Sequence, residues 1–294
     1  MIVQFTYSMI YDLIYHILAH MKVNNASDLY SENYIHRISE TKNGKGNDLN
    51  QKVLHLLNYY NKNFERLGII NFLPCYCSSI QDLLKTTSTY AGFTDGDKEM
   101  FVSPLNELVE SEYSFYENYW SALYRETKND REKLEQWIKT EISKYEVLLS
   151  YFKKTAVIGF SYSLTCNGRG YYQVNTFNAI VPFETEECKY ETVFYQIMHE
   201  FTHQFTDGII GTNIKMDDGT HDVSENAAIL FDYYLIKNIY PQKTSSYFKW
   251  ISKFAKIDCC DEKTFISYFS VENILNEKLI NLVNKIKEFD SLDI

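Results

Sequence analysis

Apolar positions recur at three- and four-residue spacing through most of residues 1–154, a period that gathers them on one face of a helix. The first such segment opens the chain and runs to about Val23. Ser27-Asp28 stand where a second helix through Glu40 would be capped, and TKNGKGND at 41–48 breaks the pattern. A helix over 49–67, ended by Gly68, gives way to an extended piece reaching Pro74. Another helix begins at Ser78 or Ser79, and the turn Thr94-Asp95-Gly96-Asp97 interrupts it. Ser103-Pro104 then supplies the N-cap and the first-turn proline of a long helix. Asn129-Asp130 separates that helix from one ending near Lys154.

The period changes at Thr155. Residues 156–165 (AVIGFSYSLT) are β-branched and aromatic, Asn167-Gly168-Arg169-Gly170 reads as a turn, and 171–183 reads as a second strand or two short ones. Directly after this hairpin, Val193, Phe194, Ile197, Met198, Phe201 and Phe205 form the apolar face of a helix starting near Tyr190. A Gly- and Asp-rich loop over 207–221, a helix over 223–239 stopped by Pro241, and two or three further helices complete the chain. The expected fold class is α+β, predominantly helical. A helical region, 1–154, packs with a region, 155–294, that carries a small sheet, and the two make one globular unit.

Composition narrows the class of protein. Hydrophobic residues are 45% of 294, enough for a full-sized core, and 25 Tyr and 19 Phe against 11 Gly and 4 Pro favour helices with half-buried rings. A compositional bias of the source genome accounts for much of the tyrosine. The net charge of −10, with no basic run longer than Lys153-Lys154, argues against nucleic acid or an anionic membrane surface as partner. It is compatible with a neutral or basic peptide. The cysteines, at 75, 77, 166, 188, 259 and 260, form no CxxC pair. The apolar N-terminus lacks a basic leader and a cleavage site, and no segment is long and apolar enough to span a bilayer. The expectation is a cytoplasmic protein with reduced cysteines.

One stretch carries chemistry. His199-Glu200-Phe201-Thr202-His203 is an H-E-x-x-H in the middle of the helix that begins near Tyr190. Positions i and i+4 share a helix face, so the two imidazoles can meet one metal ion while Glu200 polarises a water. A catalytic zinc takes a third protein ligand. The candidates are His221, Asp222 and Glu225. Glu225, 22 residues after His203 and one turn into the next helix, is preferred, with Ala227 and Ala228 permitting close approach. Asp222 or Ser224 suits the N-cap. His16 and His20 share the i, i+4 spacing, but Ile17 follows the first, and they read as ordinary residues of an amphipathic helix.

HEFTHQFTD resembles the zinc helix of zincin metallopeptidases of the thermolysin-like, gluzincin type. The resemblance covers about residues 171–235. It implies a zincin-like catalytic unit in which His199, His203 and Glu225 hold Zn2+, Glu200 is the general base, and a peptide or protein is the substrate. Asp207 matches the Asp that ends the helix motif. Two departures stand beside it. Ile229 occupies the place of the Asp that orients a histidine ligand, leaving Asp207, Asp222 or Asp232 for that contact. Gly219-Thr220-His221-Asp222 is similar to the aspzincin motif, which would make Asp222 the third ligand. The resemblance also implies a substrate-pairing edge strand, looked for at 173–181 with Asn178-Ala179, and an oxyanion stabiliser among Tyr233, Tyr234, His221 and Tyr247. The expected activity is hydrolysis of peptide bonds. The alternatives are a catalytically inactive zincin-like binding or regulatory protein, or an aspzincin-like peptidase.

Overall fold

The computed structural model describes residues 3–21, 31–42, 47–165, 167–211, 220–255, 257 and 261–292. The chain starts with a strand, β1 (Val3–Thr6), and not with the helix expected there. Ser8 then caps α1 (Met9–Ala19), its hydroxyl accepting the Ile10 N–H at 3.2 Å. The next helices are α2 (Glu32–Thr41), α3 (Asn47–Lys62), the single turn α4 (Phe64–Leu67) and α5 (Ile80–Thr89). Between α4 and α5 the piece expected to be extended is wound into two 3₁₀ turns, Gly68–Asn71 and Leu73–Tyr76. The expected cap at Ser27-Asp28 and residues 43–46 of the loop expected at 41–48 lie outside the described residues, and α2 and α3 take in Thr41 and Asn47 at its two ends.

The helix start placed at Ser103 belongs further upstream. Thr94 and Asp97 form a reciprocal capping box at α6 (Asp95–Asp97), and the coil continues through a π turn, Lys98–Val102, into α7 (Ser103–Glu126). Pro104 has no N–H to give, and the wider turn before it, closed by the Ser103 N–H on the Lys98 carbonyl, lets the helix run on. α8 (Lys128–Ser143) and α9 (Glu146–Tyr151) follow.

Three more strands, β2 (Thr155–Ser161), β3 (Arg169–Gln173) and β4 (Thr176–Pro182), complete a four-stranded sheet of order β1-β2-β4-β3. The hairpin is β3 with β4, turned at Asn175, which takes the left-handed φ of 65°. β2 pairs with β4 in parallel, as β1 does with β2, so the 156–165 strand is not a hairpin partner of the next strand in sequence. Alternation along β4 feeds two apolar clusters: Phe177, Ala179 and Val181 face the one holding α8 and α10 (Tyr190–Ile210), while Ile180 faces the one built on α1, α3 and α7. α11 (Thr220–Ile239), α12 (Thr244–Phe254), α13 (Glu262–Tyr268) and α14 (Asn273–Leu292) finish the first cluster. The result is an α+β, predominantly helical protein with a small mixed sheet.

Asp12 pins the α1 side to the sheet. Its carboxyl group, fully buried, accepts the Trp120 indole N–H at 2.7 Å, the Tyr162 N–H at 3.2 Å and the Ser161 hydroxyl. Gly159 allows the close approach, because a Cβ there would stand 2.9 Å from Ile180 Cγ1 and 3.2 Å from the Tyr11 hydroxyl. No helix among the described residues is long and apolar enough to cross a membrane. Cys75, Cys77 and Cys188 are free thiols.

Candidate metal centre

α10 lies across β4 and β3 on one side and against α11 on the other. Its seat on the sheet is fixed by Gln204, whose side-chain amide donates to the Asn178 carbonyl at 2.7 Å and accepts the Asn178 N–H at 3.1 Å. Asn178-Ala179 is therefore inside the sheet, flanked by β2 and β3, and not on the substrate-pairing edge expected for 173–181. The edge beside the helix is β3.

Because His199 and His203 are one helical turn apart, their rings reach the same point, with Nε2 of one 3.2 Å from Nε2 of the other. α11 brings Glu225 to both: one carboxylate oxygen is 3.3 Å from His199 Nε2 and the other 3.4 Å from His203 Nε2. These three residues alone among the described His, Cys, Asp and Glu bring ligand atoms within 4.8 Å of one another in a group able to hold a metal. Asp222 is exposed in the first turn of α11 and outside that group. The side chain of His221 lies outside the described residues. Of the three carboxylates weighed for orienting a histidine, two are in place. Asp232 meets His199 Nδ1 at 3.2 Å while accepting the Thr202 hydroxyl at 2.5 Å. Asp207 accepts the Ser224 hydroxyl at 2.7 Å, and Ser224 Oγ is 3.3 Å from His203 Nδ1.

Each ring has an oxygen behind its Nδ1, Asp232 Oδ2 for His199 and Ser224 Oγ for His203, and turns its Nε2 towards the other ring and the Glu225 oxygens. Positive charge holds such a set together, and either protons on the imidazoles or a metal ion in their place can supply it. Burial opposes a charge on His199, yet the Asp232 and Glu225 carboxylates outweigh it and raise its pKa to about 9. His203 is raised well above its ordinary value against the same burial penalty, through Asp207 and Glu225. Glu225, although burial favours its neutral form, is held well below the ordinary carboxylate range by the two imidazoles. Nitrogen and oxygen donors of this kind, backed by outer carboxylates, suit Zn2+. With its side chain 33% exposed, Glu225 lies on the open side of the cluster, while that of His199 is only 5% exposed.

Glu200 is buried beneath the edge strand, and burial raises its pKa above the ordinary value. The backbone closes over it because two residues there have no side chain. A Cβ on Gly168 would stand 2.7 Å from Glu200 Oε1, and one on Gly170 would stand 2.8 Å from the Glu200 carbonyl oxygen. Arg169, between them, counters the carboxylate's upward shift with its charge. Further along β3, Tyr172 donates its hydroxyl to Asp207, and its own N–H and C=O both meet the Tyr76 hydroxyl, at 3.2 and 3.3 Å. Those backbone groups point away from β4. By the two-residue alternation of a strand, the N–H and C=O of Gly170 point outward too, next to Glu200.

The tyrosines weighed as oxyanion stabilisers are engaged elsewhere. Tyr247 donates to the Ile229 carbonyl at 3.2 Å, Tyr234 to Asn276 at 2.8 Å, and Tyr233 stacks on Phe248. The i, i+4 pair His16 and His20 is buried in the other cluster; His16 Nδ1 pairs with the Tyr34 hydroxyl at 2.9 Å and His20 Nδ1 with Asn50 at 2.6 Å. Sequence reasoning did not find Gln204, Trp250, Tyr76 or the roles of Gly168 and Gly170. The G-x-G of 168–170 was the available signal for the last two, since glycine repeated on one strand face marks a close approach. No protein-family model, curated protein or solved structure matches the chain.

Proposed function

We propose that this protein is a zinc-dependent peptide hydrolase of zincin-like architecture, with His199, His203 and Glu225 as metal ligands and Glu200 as general base. The observation that carries the reading is the convergence of the His199 and His203 Nε2 atoms on the carboxylate of Glu225, with Glu200 one residue away beneath the sheet edge. Bound at these ligands, zinc supplies a Lewis acid for the scissile carbonyl and for a water. Glu200 takes the proton that the attacking water loses and hands it to the departing amine. A carboxylate whose pKa lies above the ordinary range is better matched to both transfers near neutral pH. The outward N–H and C=O of Gly170 offer an extended peptide a pair of backbone hydrogen bonds that would lay its scissile bond beside Glu200.

The test uses the purified protein and a peptide library. Wild type should carry about one zinc per chain and cut the library; Glu200→Gln should keep the zinc and lose the cutting. Turnover retained in Glu200→Gln would remove Glu200 as base. Intact zinc without any cutting by wild type would leave a zincin-like metal protein that binds and does not hydrolyse.

A further inference from the structure

A pocket of about 480 Å³ opens on the same face of α10, one to two turns before the metal ligands. Thr192 and Gln196 line it, and at seven and three residues before His199 they share its helix face. Its far wall is α12, where Trp250 reaches the metal cluster with its ring centroid 6.2 Å from that of His199. Its roof includes Asn167, the neighbour of the glycine that rests on Glu200. The pocket and the metal cluster thus lie side by side along α10, with Trp250 common to both, at the end of β3 opposite the Tyr76 contact.

The charge of this pocket contradicts that of the protein. In a chain of net charge −10, Lys249 and Lys253 both line it, four residues apart and therefore on one face of α12. Both are exposed, and neither has an ion pair among the described residues. The acidic lining residue, Glu191, meets the Lys243 ammonium at 2.9 Å, which Glu141 shares at 3.2 Å, so three lysines stand against two carboxylates. The balance is a compact positive site in an acidic surface, with an indole at its inner end. Resting on the hydrolase reading, we infer that this pocket takes a carboxylate of the substrate, and that Lys249 and Lys253 are specificity-determining residues. The carboxylate belongs either to an Asp or Glu side chain next to the scissile bond or to the free C-terminus of a short peptide. Whole-chain acidity keeps other anions away, so the preference is local to a peptide already laid beside the metal cluster.

The experiment sequences the cuts made in two position-scanned peptide libraries, one with free and one with amidated C-termini, by wild type and by Lys249→Glu/Lys253→Glu. Zinc content of both proteins is the control for folding and for the metal centre, since neither lysine touches a ligand. Wild type should favour an acidic residue, or the free chain end, on one side of the cut by about tenfold, and the preference should weaken with added salt. The double variant should lose that preference and turn towards Lys or Arg at the same position. Enrichment that survives amidation assigns the side chain, and enrichment lost on amidation assigns the chain end; both support the inference. Cuts by zinc-loaded wild type with no acidic preference, or a preference unchanged in the double variant, overturn it while leaving the hydrolase reading intact. Absence of all cutting at full zinc content overturns the hydrolase reading first, and this inference with it.

Discussion

Asp232 holds the ring of His199 from behind: its Oδ2 is 3.2 Å from Nδ1, and its other oxygen accepts the Thr202 hydroxyl from the turn above at 2.5 Å. One helix thus supplies the imidazole and the hydroxyl, and the next supplies the carboxylate that orients both. Asp232→Asn keeps the shape but weakens the acceptor, so zinc affinity should fall about 10- to 100-fold, read by competition with a chromogenic chelator. Unchanged affinity would show that the contact does not tune the ligand.

The third ligand separates two architectures. Glu225 touches both imidazoles, whereas Asp222 is exposed one turn earlier. Glu225→Ala should strip zinc from the purified protein, and Asp222→Ala should leave about one zinc per chain, measured by elemental analysis. The reverse pattern would assign the aspzincin-like arrangement.

The two glycines over Glu200 should differ in how they fail. Gly168→Ala places a methyl group 2.7 Å from Oε1 of a side chain that can swing, so stability should hold while kcat/KM drops about 100-fold with zinc retained. Gly170→Ala meets the Glu200 backbone carbonyl at 2.8 Å, which cannot swing, so β3 must leave the helix. That variant should also unfold at lower denaturant concentration. Equal melting of the two variants would refute the distinction.

The Asp12 carboxyl gives a pH signature away from the metal. Burial raises its pKa to about 7 from an ordinary 3.8, although Ser161, Trp120 and Tyr162 donate to it. Between those values the unfolded chain ionises Asp12 and the folded chain keeps its proton, so this group's contribution is complete below about pH 4 and is lost as pH rises through about 7. Asp12→Asn has no such loss. Urea midpoints of variant and wild type should therefore shift in the variant's favour from pH 4.5 to pH 7.5, on the order of a few kcal/mol. A difference that does not vary with pH would overturn the assignment.

Much of the architecture was readable where local rules operate. The apolar periods gave the helical character, and the change at Thr155 gave the sheet. The two misreadings of the sheet share one cause. Val3–Thr6 is four residues long and becomes a strand only by pairing with β2, more than 150 residues away in sequence. Residues 156–165 and 171–183 look like hairpin partners because they are consecutive, but strand order is set by which faces must be buried against α1 and α10.

The metal helix divides in the same way. Sequence by itself determined that His199 and His203 share a face and that Glu200 follows the first, because helix periodicity is a property of consecutive residues. It narrowed the partner carboxylate to neighbouring positions on the next helix. Only the tertiary structure decided that Glu225 meets both imidazoles, that Asp232 and Asp207 stand behind them, and that Gly168 and Gly170 close over Glu200. Those contacts depend on how two helices and a sheet edge pack, and packing is fixed by the burial of side chains far apart in the chain.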